Sequence, residues 1–152
     1  MTHPDRPTVA PGISYRDPAA ALKWLETAFG FETSMVVEND DGSIGHSEMR
    51  IGDGLIMVGR EWDAMHKSPA SLGGVNTQSI HVHLGGGLDA HCERARAAGA
   101  AITREPADQF YGDRVYAAVD LEGHIWSFSE TLRVMTHEEM TAAGGRPVRE
   151  RL

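Results

Sequence analysis

The amino-acid sequence predicts an α+β fold built from two βαβββ modules. A β-hairpin pattern occurs twice, over residues 46–59 and again over residues 111–130. In each hairpin, side chains alternate between apolar and polar on both sides of a turn that contains glycine. An amphipathic helical pattern that ends at a glycine precedes each hairpin. A set of elements that recurs in one order indicates a fold that arose by duplication.

The first module covers residues 8–60 and follows a polar, Pro-rich lead-in over residues 1–7. Asp17 predicts the start of a helix, because its side chain suits the N-cap and Pro18 suits the first helical position. Gly30 predicts the end of that helix, since glycine readily takes the left-handed conformation. The predicted strands of this module are residues 8–15, 31–38, 43–51 and 55–58.

The second module covers residues 79–131, with a predicted helix over residues 89–98. A linker over residues 61–78 separates the modules, because this stretch holds Pro69 and a glycine pair but few periodic apolar residues. The C-terminal residues 132–152 are predicted as a short helix, which a capping box begins, and a mobile tail. The predicted strands of the second module are residues 79–84, 101–104, 114–119 and 125–129, with a loop at 105–113.

Composition and charge narrow the classes of function. The formal charge of −8 argues against a nucleic-acid or anionic-membrane partner, because phosphate binding needs clustered Lys and Arg. The single cysteine, Cys92, excludes an internal disulfide and a Cys-based zinc site, and its place in a helical pattern predicts a small buried residue. No apolar run suits a signal peptide or reaches transmembrane length, so the expected location is the cytoplasm.

Four stretches of the chain carry a family resemblance: DPAAALKWLETAFGFE, GHSEMRIGDGLIMVG, LDAHCERARAAGAAI and YGDRVYAAVDLEGHIWSFSE. In this order they resemble the vicinal-oxygen-chelate superfamily, and most of all its small bacterial members of the glyoxalase/bleomycin-resistance-like type. The resemblance implies two curved mixed sheets around a cavity, with the helices outside. It covers both enzymes, such as glyoxalase I and extradiol dioxygenases, and metal-free binders such as the bleomycin-resistance proteins.

The resemblance also implies where a metal would be bound. Metal-using members carry a His, Gln or Glu on the first strand of each half and a Glu on the last strand of each half. The corresponding positions here are Ala10 or Pro11, Met57 or Val58, Ser79 and Ser127. None of these residues is a good ligand for a divalent metal, so the protein is expected to hold no metal cofactor. The alternative is a displaced divalent-metal site through His46, His81 and Glu130.

The second module offers histidines as candidate ligand contacts. Ser79, His81 and His83 alternate along one strand, so their side chains share the face that the resemblance turns toward the cavity. Three interpretations of His81 and His83 are open: they contact a ligand, they bind a metal, or they form hydrogen bonds with neighbouring residues on a half-polar sheet face. Tyr111 and Arg114 come from the predicted loop and suit an anionic or conjugated ligand.

The first module offers an acid–base pair. His46, Glu48 and Arg50 share one face of their strand, and a His close to a Glu suits proton transfer. The competing interpretation is an exposed face with cross-strand ion pairs.

In the second module, Trp126 is predicted to be either a core residue or a platform on which a ligand stacks. The full set of predicted ligand-binding residues is His46, Glu48, Ser79, His81, His83, Tyr111, Arg114, Trp126 and Ser127.

These features predict a metal-free protein that binds a small organic molecule, planar or aromatic, for drug or natural-product sequestration, antibiotic resistance or an accessory role in biosynthesis. The alternative is an enzyme, a glyoxalase-like lyase or isomerase or a dioxygenase, with catalytic candidates His46 and Glu48. A structural module without a ligand is a third class. The resemblance also implies a homodimer, because in this family each half-barrel sheet leaves apolar surface and free strand edges that a second copy covers. Pro11 and Gly12 suit an edge strand at such a boundary.

Overall fold

The computed structural model describes residues 6–152, so most of the predicted lead-in, residues 1–5, lies outside the described residues. Two four-stranded mixed sheets, each with its own helix, confirm the duplicated α+β fold. The first module contains β1 Gly12–Tyr15, α1 Pro18–Phe29, β2 Glu32–Glu38, β3 Ile44–Ile51 and β4 Gly54–Arg60. The second contains β5 Ser79–His83, α2 Leu88–Ala97, β6 Ala101–Asp108, β7 Asp113–Val119 and β8 Ile125–Thr131, and α3 His137–Gly144 follows.

Both sheets have the same topology. Their strand orders are β1-β4-β3-β2 and β5-β8-β7-β6. The pairs β1–β4 and β5–β8 are parallel, and all other neighbouring strands are antiparallel. A short 3-10 helix, Pro69–Leu72, lies in the linker between them. No helix in residues 6–152 is long and apolar enough to cross a membrane.

The helix boundaries follow from capping. The Asp17 carboxylate accepts a hydrogen bond from the Ala20 N–H at 3.0 Å, Pro18 opens α1, and Gly30 closes it with a φ of 77°. The capping box that begins α3 is also present, since the Thr136 and Glu139 side chains each accept a hydrogen bond from the other residue's backbone N–H. These sequence predictions are confirmed.

Two strand predictions were wrong in extent. The first strand begins at Gly12 rather than at residue 8, because Pro11 has no N–H to give to a ladder. Residues 105–108 of the predicted loop instead extend β6, which runs through Pro106 to Asp108 with register shifts, and only residues 109–112 remain as the connection to β7. Proline is tolerated there because β6 is an edge strand.

One hydrophobic core joins the modules. Helices α1 and α2 pack on each other, and the buried residues of both sheets belong to the same cluster as those of the helices. The Phe29 ring at the end of α1 lies 5.4 Å from the Trp126 ring and 4.7 Å from the Phe128 ring, both on β8. Each sheet thus turns one face toward this shared core, and the residues that alternate with the core residues lie on the opposite face.

Candidate ligand-binding site

The second sheet carries a row of imidazoles and hydroxyls on the face away from the core. In the parallel pairing of β5 and β8, His81 lies opposite Ser127 and His83 lies opposite Ser129. The two nitrogens of His81 are 2.6 Å from the Ser127 hydroxyl and 2.9 Å from the Ser129 hydroxyl, and the latter is also 2.9 Å from His83 Nδ1. Ser79 lies exposed at the start of the same strand. We call this row, with Thr131 and Asp113, the second-sheet polar face.

The first sheet carries a charged group on its corresponding face. The buried Glu48 carboxylate accepts a hydrogen bond from the Arg6 guanidinium and lies 3.3 Å from His46 Nε2. Burial alone would raise the pKa of Glu48, but the hydrogen bonds from Arg6 and His46 outweigh it, and the pKa is lowered. Glu48 is therefore a weak proton acceptor. Arg6, His46, Glu48 and their neighbour Met57 form the first-sheet polar face.

The structure does not bring the two polar faces together within one chain. Core residues alternate with the polar ones: Met49 with Glu48 on the first sheet, and Val82 with His81 on the second. Because the core lies on the inner side of both sheets, the two polar faces lie on its outer sides. A single chain therefore presents the two halves of the predicted site on two separate sheet faces.

Two of the predicted ligand contacts lie on the core side of the second sheet. Trp126 is 0% exposed, and its Nε1–H donates to Asp120 Oδ2 at 3.0 Å, so it is a core residue. Arg114 comes directly before Val115, which pairs with Ser129 on the outer face, so the Arg114 side chain lies on the core side. Its guanidinium donates to Asp89 at 2.9 Å and to Asp108 at 2.8 Å. Hydrogen bonds from Arg114 to these two carboxylates raise the pKa of its guanidinium.

Tyr111 lies in a tight turn and not in a long loop. The Gln109 N–H donates to the Asp113 carbonyl at 2.7 Å and closes the turn between β6 and β7. The Tyr111 ring stands edge-on to Phe110 with a centroid distance of 5.2 Å. The turn is next to Asp113, so Tyr111 remains at one end of the second-sheet polar face.

Within residues 6–152 of one chain, the residues at the places predicted for a metal do not form a metal site. Pro11 accepts a backbone hydrogen bond from Met57 on the first sheet, and on the second sheet Ser127 lies beside His81, which is two residues beyond the predicted place at Ser79. Only His81 among these residues is a good metal ligand. Nowhere in residues 6–152 do three His, Cys, Asp or Glu side chains come together in a way that could hold a metal. The alternative set of His46, His81 and Glu130 is likewise not assembled within one chain.

A cavity of about 290 Å³ lies where β1 and β5 approach the linker, and it contains none of the predicted ligand-binding residues. Its walls combine apolar side chains such as Ile13 and Ile80 with the polar side chains of His66 and His124. No sequence pattern predicted this cavity, because the linker lacks the periodicity from which a shared wall could be inferred. Two residues of the second-sheet polar face, Ser129 and Thr131, were also missed, although they alternate with the predicted Ser127 along one strand.

A sequence model of the Glyoxalase/Bleomycin resistance protein/Dioxygenase superfamily matches residues 8–128. The chain belongs to this superfamily. Relatives from Mycobacterium bovis and Mycobacterium tuberculosis, both described as uncharacterised proteins, are 30% identical over 141 residues. The match covers 90% of this chain and 91% and 82% of the two relatives, respectively.

Several solved structures share this fold. TioX from a Micromonospora species is 29% identical with a TM-score of 0.66, over 83% of this chain and 100% of TioX. TnmS3, an antibiotic binding protein from a Streptomyces species, is 16% identical with a TM-score of 0.62, over 86% and 97% of the two chains. FosX, a fosfomycin resistance protein from Listeria monocytogenes, is 17% identical with a TM-score of 0.61, over 88% and 97%.

Proposed function

We propose that the protein binds a small planar organic molecule, without a metal, in a cavity that two copies of the chain build together. The observation that carries this proposal is that each polar face lies on the side of its own sheet away from the shared core, and no hydrogen bond within residues 6–152 joins the two faces in one chain. Binding pockets combine an apolar wall with a few convergent polar groups. The first-sheet face supplies His46 and Glu48, and the second-sheet face supplies His81, His83 and Ser127.

A second copy is the simplest partner for each face. A two-fold arrangement that sets the first-sheet face of one copy against the second-sheet face of the other creates two equal cavities, because a two-fold interface repeats every contact. Strand β2 also presents the exposed apolar side chains Met35, Val36 and Val37 at a sheet edge. Bare apolar edges favour pairing with another chain, so a dimer that covers them is expected.

The chemistry of the faces favours binding over catalysis. Glu48 is held as a carboxylate by Arg6, which makes it a poor general base. The structural similarity to an antibiotic binding protein supports a role in sequestering a drug or natural product, and the similarity to a fosfomycin resistance protein supports a role in antibiotic resistance. The cytoplasm is the expected location of this role.

The test is calorimetric titration with a panel of planar aromatic compounds and antibiotics, with 2-naphthol as the simplest probe. His46→Ala and His81→Ala should each weaken binding about 10-fold or more, since each removes a polar anchor from one half of the cavity. Arg114→Ala is the matched control and should bind as the parent does, because Arg114 lies on the core side of its sheet. Treatment with EDTA should change neither affinity nor Tm.

Two results would contradict the proposal. One is stoichiometric Zn, Ni, Mn or Fe in protein purified without a metal-affinity tag. The other is a monomer near 16.5 kDa in sedimentation at micromolar concentration, with unchanged ligand affinity.

A further inference from the structure

The second-sheet polar face contains an unbroken series of hydrogen bonds. We call it the hydrogen-bond chain, and its members in order are Ser127, His81, Ser129, His83, Thr131 and Asp113. The successive heavy-atom distances are 2.6, 2.9, 2.9, 3.4 and 2.9 Å. All members come from β5, β7 and β8 and meet through the strand register, which pairs Thr131 with Asp113.

The Asp113 end of the chain fixes the direction of its last links. A carboxylate only accepts hydrogen bonds, so the Thr131 hydroxyl donates its one proton to Asp113. The Thr131 oxygen can then only accept, and His83 Nε2 must carry a proton. A neutral imidazole has one N–H and one acceptor nitrogen, so Nδ1 of His83 accepts from Ser129.

The same reasoning continues to the open end. Ser129 is fully buried and has one proton, which it gives to His83, so it accepts from His81 Nε2. The Nδ1 atom of His81 is then an acceptor and takes the proton of the Ser127 hydroxyl. With both imidazoles neutral, every proton of the chain points toward Asp113. The Ser127 oxygen is left with a lone pair and no proton to offer.

We propose that Ser127 accepts a hydrogen bond from the ligand, and that Asp113 fixes this preference through the chain. The site then selects molecules that bring an N–H or O–H to Ser127, such as phenols, amides and amines. An ether or carbonyl oxygen at that point meets another acceptor and gains nothing. This inference rests on the proposed function, and it names the class of ligand for the second-sheet half of the cavity.

The first experiment needs no ligand. Nitrogen-15 NMR of the imidazoles, at a pH high enough to keep them neutral, should show the proton on Nε2 in both His81 and His83. Thr131→Val removes the hydroxyl that links His83 to Asp113 at an exposed position, so His83 should become a mixture of tautomers. Thr103→Val, an exposed threonine on β6 of the same sheet, is the matched control and should change neither ring.

A proton on Nδ1 of His83 in the parent, or tautomers that are the same in Thr131→Val, would overturn the chain whether or not a ligand binds. The proposed function would then still stand.

The second experiment compares 2-naphthol with 2-methoxynaphthalene by calorimetry. The parent should bind the naphthol about fivefold more tightly, the effect of one net hydrogen bond. In Thr131→Val the ratio should fall below about two, because the Ser127 hydroxyl is then free to donate to the ether as well. Thr103→Val should keep the parent ratio.

Equal affinities for both compounds in the parent, or a ratio unchanged by Thr131→Val, would overturn this role of Ser127. Failure of both compounds to bind would count against the proposed function and this role together.

Discussion

The polar face of the first sheet holds a buried carboxylate paired with a guanidinium, whereas the same face of the second sheet holds imidazoles and hydroxyls joined by neutral hydrogen bonds. The strand order and register are alike in both sheets, and both turn their opposite face to the same core. The two modules therefore share their topology and core packing but differ in the chemistry of the sheet face that points away from the core. Measurements that separate the common core from the two faces test this comparison directly.

The largest effect should come from the shared core. Phe29→Ala removes a ring that contacts β8 of the other module, so it should destabilise the protein by about 3–5 kcal/mol and keep a single unfolding transition. Urea denaturation followed by circular dichroism and by tryptophan fluorescence measures the loss of stability and the number of unfolding transitions. Two separate transitions would show that the modules have independent cores.

The core also contains a histidine whose pH response differs from that of the faces. The ring of His91 lies between the Tyr116 hydroxyl, which donates to Nδ1 at 2.6 Å, and the Phe29 carbonyl, which accepts from Nε2–H at 2.8 Å. Burial lowers the pKa of His91, because the neutral ring is the form that fits. Its contribution to stability is thus present above the unfolded value of about 6.5 and is lost as the pH falls below it.

His91→Gln preserves a donor and an acceptor but does not titrate. The difference in free energy of unfolding between parent and variant should therefore shrink as the pH is lowered from about 7.5 to 5. A difference that is constant over this range would mean that His91 has the same pKa in the folded and unfolded states.

The first-sheet face should respond to loss of its charge. Glu48→Gln removes the carboxylate that Arg6 and His46 bind, at an expected cost of roughly 1–3 kcal/mol at neutral pH. The lowered pKa of Glu48 means that this contribution is present above the unfolded value and is lost as the pH falls through the folded one. Glu38→Gln, at an exposed position on β2, is the control and should cost almost nothing. Equal effects of the two substitutions would contradict the special role of Glu48.

The second-sheet face should contribute least to stability. Ser129→Ala breaks two hydrogen bonds, but the exposed rings of His81 and His83 can bond to water instead, so the expected cost is about 1 kcal/mol or less. Thermal unfolding in low and high salt distinguishes Ser129→Ala from Glu48→Gln. Only the change in Tm caused by Glu48→Gln should depend on salt, because salt screens the ion pair of the first-sheet polar face. A cost above that of Glu48→Gln would reverse the comparison of the two faces.

The fold was predictable from the sequence because its signals are local. Asp17 with Pro18, Gly30 and the two alternating hairpins each determine their own stretch of backbone. The site was only partly predictable, since alternation shows that His81 and His83 share a face but not which way that face turns. The prediction placed Arg114 in a loop with Tyr111, whereas β7 begins at Asp113 and strand alternation puts Arg114 on the core side. The pairing of Arg6 with Glu48 depends on a contact between residues far apart in sequence, which no local pattern shows.

The most direct test of a cavity built by two copies is complementation between His46→Ala and His81→Ala, each impaired alone. In a mixed dimer, one cavity carries both substitutions and the other carries neither. After subunit exchange of an equal mixture, verified by native mass spectrometry, calorimetry with 2-naphthol should recover parental affinity at about a quarter of the parental sites. Exchange without any recovery of binding would contradict the account, because a cavity within one chain cannot be restored by mixing.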